Sequence, residues 1–267
     1  MYLYMELFKR TFYNDNNELQ LFEKLSYFSQ YTFYEDTHTY RFNDQRVAKS
    51  VTGLVSEFVE PFDEKKWLPR KAKECGISEE ELKAEWQHKA DVSAATGTLF
   101  HKFMEMNMTG KTFCPVSDII RDDLRDEVIT RYNGLIKHGY KFVDDVRGNL
   151  IPVKNEFTVG WGTSLAGQID QLAYNKETKQ LEIYDWKTNK DISCWSTWHR
   201  KMLGPFSSLD ECELNSYSLQ LSLYKALLQR QGINIGNMFL VWFNENNKSY
   251  MLFPCKDLTK AADKLIA

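Results

Sequence analysis

In the stretch "GQIDQLAYNKETKQLEIYDWKTNK", Asp185 and Lys187 stand two places apart with Trp186 between them, and Asp170 lies upstream across a polar turn. On a strand, positions i and i+2 share a face about 6.7 Å apart along the chain. Asp185 and Lys187 therefore point the same way while Trp186 packs behind them. If the preceding strand pairs as a hairpin through "NKETK", Asp170 comes to the same end of the sheet, because register follows the buried face. Two carboxylates and one amine placed like this allow two readings. One is an exposed same-face ion pair with Asp170 capping a turn, which contributes little. The other is a site where a hard cation such as Mg²⁺ takes carboxylate oxygens and leaves positions for water and a phosphate oxygen. Lys187 then orients the attacking water or takes its proton.

Other residues of similar chemistry surround this pair in the sequence. His101 precedes Glu105 by one turn of the helical text "TGTLFHKFMEMN", so the two share a face. Glu156, in "NEFTV", is a charge among apolar strand neighbours and needs a partner. Gln220 and Tyr224 are spaced i and i+4 on the late helical segment. His101 and the Gln220–Tyr224 pair have ordinary structural alternatives: a structural histidine, and a helix boundary between core and surface.

The elements that must position them follow from periodicity. Residues 31 to 51 alternate and pivot on Asn43-Asp44, a hairpin turn. "VTGLVSEFVEPF" starts a helix with Thr52 as N-cap and Pro61 ending it. A helix from Ser78, with Glu81 completing a capping box, runs to about Ala90, and a separate one ends at Gly110. From 118 to 138, Ile119, Leu124, Val128, Ile129, Tyr132, Leu135 and Ile136 keep helical spacing, closing at Gly139. "IPVKNEFTV", "SLAGQIDQLAY" and "QLEIYDWKT" form an antiparallel meander; residues 191 to 212 are irregular; "LNSYSLQLSLYKALLQRQG" is a helix, and two strands close the chain. The expectation is an α+β (mixed α/β) fold: a hairpin and helical extension over residues 1–95 packed on a core over 96–267.

With 267 residues, 43% of them hydrophobic, the chain can bury a sizeable core. No long apolar run suits a membrane span, and the N-terminus meets charge too early for a signal peptide, so a cytoplasmic protein is expected. Cys75, Cys114, Cys194, Cys212 and Cys255 are scattered and odd in number, which fits neither a disulfide framework nor a metal cage; they are expected reduced and mostly buried. A net charge of -3 makes no global case for nucleic acid, so any such surface must be local. Two stretches mix cations with aromatic rings. In "KKWLPRKAK", Lys66 and Arg70 flank Trp67; in "DISCWSTWHRKM", Trp195 and Trp198 precede Arg200. The alternatives are a solvated helix face for the first and a core-packing loop for the second.

Taken in order, His101, Glu156, "GQID", "YDWKT" and "QLSLYKALL" resemble the PD-(D/E)xK nuclease superfamily in its RecB-like branch, over residues 97 to 245. "YEDTHTYRFNDQRVAKSVTGLVSEF" is similar to the lead-in of phage-type exonucleases of this group and of the mitochondrial genome-maintenance exonuclease. The first acid follows Ile169 rather than proline, as is common in that branch, and Cys255 stands alone near the C-terminus, so no iron–sulfur cluster is expected. The resemblance implies a restriction-endonuclease-like core in which a central mixed sheet is flanked by helices. It implies Mg²⁺ or Mn²⁺ held by His101, Asp170, Asp185 and the Trp186 backbone carbonyl, with Lys187 positioning or activating water. Glu156 would help hold a second metal or the lysine. Gln220 and Tyr224, with Thr188 and Glu105 beside them, would contact DNA or support the site. Trp198, Arg200, Lys66 and Arg70 are the further DNA-binding candidates. The implied activity is a deoxyribonuclease, an exonuclease acting at DNA ends, with a recombination protein as a further partner. An endonuclease or RNase on the same fold, or a catalytically silent nucleic-acid-binding protein, is the alternative.

Overall fold

The computed structural model describes residues 15–113 and 120–266; Cys114 and Ile119 lie outside them. After helix α1 (Asp15–Ser26), strands β1 (Tyr31–Tyr34), β2 (Thr39–Phe42) and β3 (Gln45–Arg46) form a small antiparallel sheet. Asn43 and Asp44 both take positive φ, 46° and 63°, turning β2 into β3 as the alternation implies. A first turn at Glu35–His38 joins β1 to β2, so the region holds two hairpins rather than one.

The main sheet runs β4 (Lys49–Ser50), β6 (Leu165–Asn175), β7 (Gln180–Lys187), β8 (Ile235–Trp242) and β9 (Met251–Pro254), with β5 (Leu150–Trp161) on the other edge of β6. The expected meander β5-β6-β7 is antiparallel, β7 pairs β8 in parallel, and β8 pairs β9 antiparallel. This is a mixed α+β architecture. One face carries helices α4 (Glu79–Met108) and α5 (Arg125–Val146), packed through Phe100, Phe103, Leu135 and Phe142 onto Tyr184, Trp186 and Val241. The other carries α2 (Val51–Ser56) and α6 (Glu213–Arg230), with Leu54, Leu223 and Leu227 against Leu172, Ile183 and Leu240. Helix α3 (Glu64–Cys75) and the first half of α4 share a third, small cluster of Leu68, Ala72 and Leu82, flanked by Ile77 and Trp86.

Several boundaries differ from the sequence reading. Ser50, not Thr52, caps α2 by accepting from Gly53 N at 3.0 Å, and the helix ends well before Pro61. The two helices expected either side of Ala90 are one helix of 30 residues, begun by the Ser78–Glu81 capping box and running through position 95. Its apolar stripe continues through Val92, Thr96, Leu99 and Phe100, so Gly97 does not interrupt the buried face. Gly139 likewise does not end α5. A Cβ there would lie 2.5 Å from the Phe103 ring and 3.1 Å from Met104 Sδ, so glycine is what lets α5 approach α4. Of the described cysteines, Cys75 and Cys194 are exposed, against the expectation of burial. Among the described residues no helix is long and apolar enough to cross a membrane.

Candidate active site

The β6–β7 ladder runs from Asn175↔Gln180 to Gln171↔Tyr184 and stops. Beyond it β7 stays with β8, through Asp185↔Leu240 and Lys187↔Trp242, while β6 passes to β4 at Ala166. The strands fork between these points. Continuing the register puts Asp170 opposite Asp185, and cross-strand partners in an antiparallel pair share a face. At the fork the Asp170 side chain replaces the ladder: Trp186 N donates to its Oδ2 at 2.7 Å. Trp186 itself is 1% exposed, packed behind the strand as expected.

Helix α4 brings His101 over this fork. Its Nδ1 lies 3.5 Å from Asp170 Oδ1 and 3.9 Å from Glu156 Oε1, and its Nε2 lies 3.1 Å from the Trp186 carbonyl. Glu156 enters through a local distortion of β5. The ladder steps over it, from Asn155↔Gln171 to Phe157↔Ile169, and its φ is +44°, a region few side chains adopt. Asn155 Nδ2 donates to the Glu105 carbonyl at 2.9 Å, tying this stretch to the helix turn after His101. One ligand atom each from His101, Glu156 and Asp170 lie within 4.8 Å of one another. Asp185 falls outside that set: its Oδ2 is 2.6 Å from Lys187 Nζ. Expected as a partner of His101 and Asp170, it is instead the counter-ion of the lysine two places on, and Glu156 completes the three.

The electrostatics follow from this crowding. Burial disfavours a charged His101, but the Asp170 and then the Glu156 carboxylate outweigh it and raise its pKa to about 10. Asp170 is lowered despite burial, by His101, Lys187 and the Trp186 N–H. Burial, with Asp170 adding to it, pushes Asp185 up to about 6 against the pull of Lys187. Lys187 is raised despite burial, chiefly by Asp185 and Asp170. Burial raises Glu156, with Asp170 and Glu105 adding to it.

Helix α6 forms one wall. Gly167 of β6 lets Tyr224 lie directly on the strand, where a Cβ would come within 2.7 Å of its ring. Gln220 Nε2 donates to Tyr224 OH at 3.2 Å, and burial with Asp185 nearby raises the Tyr224 phenol well above its ordinary value. Thr188 Oγ1 lies alongside Gly97 of α4. Glu105 is held by Lys102 at 2.6 Å. Tyr217 is a wall residue that the sequence reading missed. The Lys187 ammonium sits 4.5 Å over its ring, and its hydroxyl accepts from Asn189 Nδ2 at 2.9 Å. Extending the Gln220–Tyr224 stripe back by three residues finds it. Tyr40, from β2, is buried beside Glu156 and Asp170, which with burial push its phenol to about 12. Nothing in its local sequence marks that role.

The DNA-binding candidates lie on two segments that meet. Lys66 and Arg70 each sit 5.5 Å from the Trp67 ring, and Trp198 approaches the same ring at 6.3 Å. Arg200 is engaged by Glu60 at 3.1 Å and Glu211 at 3.5 Å.

No protein-family model matches the chain, and a search of curated proteins finds no match.

Among the described residues, Glu156 Oε1 is a buried side-chain oxygen without a hydrogen-bond partner. Such acceptors ordinarily have one. With one imidazole, carboxylate oxygens and a carbonyl oxygen at hand, the donor set fits a divalent cation.

Proposed function

We propose that the chain is a metal-dependent nuclease of the PD-(D/E)xK type, with a restriction-endonuclease-like core, that hydrolyses DNA phosphodiester bonds. The observation that carries this reading is the convergence of His101, Glu156, Asp170, Asp185, Lys187 and the Trp186 carbonyl at the fork between β6 and β7. His101, Glu156, Asp170 and the Trp186 carbonyl would hold Mg²⁺ or Mn²⁺, with Asp185 at the edge of the set. A cation there supplies positive charge to the phosphate and lowers the pKa of water.

The protein groups do the positioning. Asp185 and Asp170 raise the proton affinity of Lys187, which supports its Nζ as a donor to the attacking water or to a phosphate oxygen. Gln220 and Tyr224 hold the α6 wall against the sheet. The preference for DNA ends rests on the resemblance of residues 34 to 58 to phage-type exonucleases.

Mn²⁺-supported digestion of linear duplex, linear single-stranded and closed circular DNA, and of RNA, tests this beside Lys187→Ala. Loss of linear DNA alone, reduced at least about 100-fold in the variant, is expected for an end-dependent exonuclease. Cutting of the circle means an endonuclease, and RNA cleavage alone an RNase. No cleavage of any substrate rejects the nuclease reading.

A further inference from the structure

Among the described residues, Phe62, Trp195 and Trp198 are the most exposed of the large apolar side chains, at 67, 69 and 70%. Phe62 immediately precedes α3 and makes an edge contact with Trp86 of α4 at 5.9 Å, while Trp198 meets Trp67 of α3 at 6.3 Å and 44°. The Trp67–Trp198 contact crosses a seam between two parts, while the Phe62–Trp86 contact lies within one of them. One is the arm of α3 and the first half of α4, whose small core is separate from the two that cover the sheet. The other is the segment that leaves β7 directly after Lys187, fastened to the base of the arm by Leu203 N donating to the Phe58 carbonyl at 2.8 Å.

The charges along this seam are unevenly committed. Lys71 pairs with Glu74, Lys83 with Glu64, Arg200 with Glu60 and Glu211, and Lys201 with Asp210. Among the described residues, no ion pair engages Lys66 or Arg70, and both stand over the Trp67 ring. The exposed Trp198 ring against the half-buried Trp67, beside cations that form no ion pair, suits a partner with flat rings and a phosphate every few ångströms. A duplex keeps its base faces stacked inside; a single strand offers them.

We propose that the Trp67–Trp198 seam is a clamp for single-stranded DNA, stacking bases on the two indoles and holding phosphates with Lys66 and Arg70. This deepens the nuclease reading and rests on it for the strand's destination: the single strand leads toward the fork along the segment joining Trp198 to Lys187.

Fluorescence anisotropy in EDTA, where cleavage does not contribute, separates the clamp from the chemistry. The probes are fluorescein-labelled oligo(dT) of 20 nucleotides and a blunt hairpin duplex, each bound by wild type, Trp67→Ala/Trp198→Ala and Lys66→Glu/Arg70→Glu. Both clamp variants are expected to weaken oligo(dT) binding about tenfold or more, the tryptophan pair with little change on the duplex. The charge pair also flattens the salt dependence. Should the first double variant unfold on a thermal scan, Trp198→Ala alone, at an exposed position, carries the test with a several-fold loss. Wild-type binding no tighter to oligo(dT) than to the duplex, or equal losses on both, overturns the clamp. If the clamp variants lose binding while wild type cleaves nothing with Mn²⁺, the clamp stands and the nuclease reading falls.

Discussion

Trp186 N donates to Asp170 Oδ2 at 2.7 Å, so a carboxylate holds the strand where the β6–β7 ladder lets go. The bond fixes the fork, and it fixes one oxygen of Asp170 while the other faces His101. Asp170→Asn keeps an acceptor for the amide, whereas Asp170→Ala leaves a buried N–H unpaired, at a cost of about 1–3 kcal/mol. Both variants are expected to lose the proposed nuclease activity. Urea unfolding should find the alanine variant the less stable; equal stabilities would mean that this bond does not hold the fork.

Mn²⁺ should stabilise the wild type. A ligand at 100 times its Kd adds about 2.7 kcal/mol to a protein that binds it only when folded. A melting-temperature rise with Mn²⁺, lost in His101→Ala and in Asp170→Ala, is the expected result. A rise that survives both substitutions would place the ion elsewhere.

The metal-free protein should lose stability in two separate steps as pH rises. Asp185 is raised from 3.8 to about 6, so the folded state holds its proton longer; the resulting stability is present below 3.8 and lost as pH rises through about 6. His101 is raised from 6.5 to about 10, so its contribution is complete below 6.5 and lost as pH rises through about 10. Thermal melts in EDTA from pH 4 to 10 check this. Asp185→Asn should remove the lower step and His101→Gln the upper one.

Gly139 tests the packing that carries His101. A side chain there meets the Phe103 ring at 2.5 Å, and Phe103 is in the buried stretch of α4 that follows His101. Gly139→Val should destabilise by about 2 kcal/mol or more, overpacking outweighing any gain in helix propensity. Chemical denaturation measures it; a neutral or stabilising result would mean the α4–α5 contact is looser than its geometry.

What the sequence determined by itself was local. Strand alternation put Asp185 and Lys187 on one face with Trp186 behind, and the ion pair and the buried indole bear that out. The polar turn set the β6–β7 register, and Ser78 with Glu81 set the start of α4. These depend on contacts within a few residues, which spacing encodes. Tertiary structure alone decided the rest. A glycine that ends a helix and one that admits a neighbouring helix are the same letter, so the continuity of α5 through Gly139 was not legible, and neither was that of α4 across residues 90 to 96. Glu156 joins His101 and Asp170 through a backbone turn to φ +44° that no spacing rule anticipates. The meeting of Trp67 with Trp198 joins segments far apart in the chain. Such long-range contacts exist only once the sheet has brought its covering helices together, because burial of apolar faces, not local preference, fixes where those segments stand.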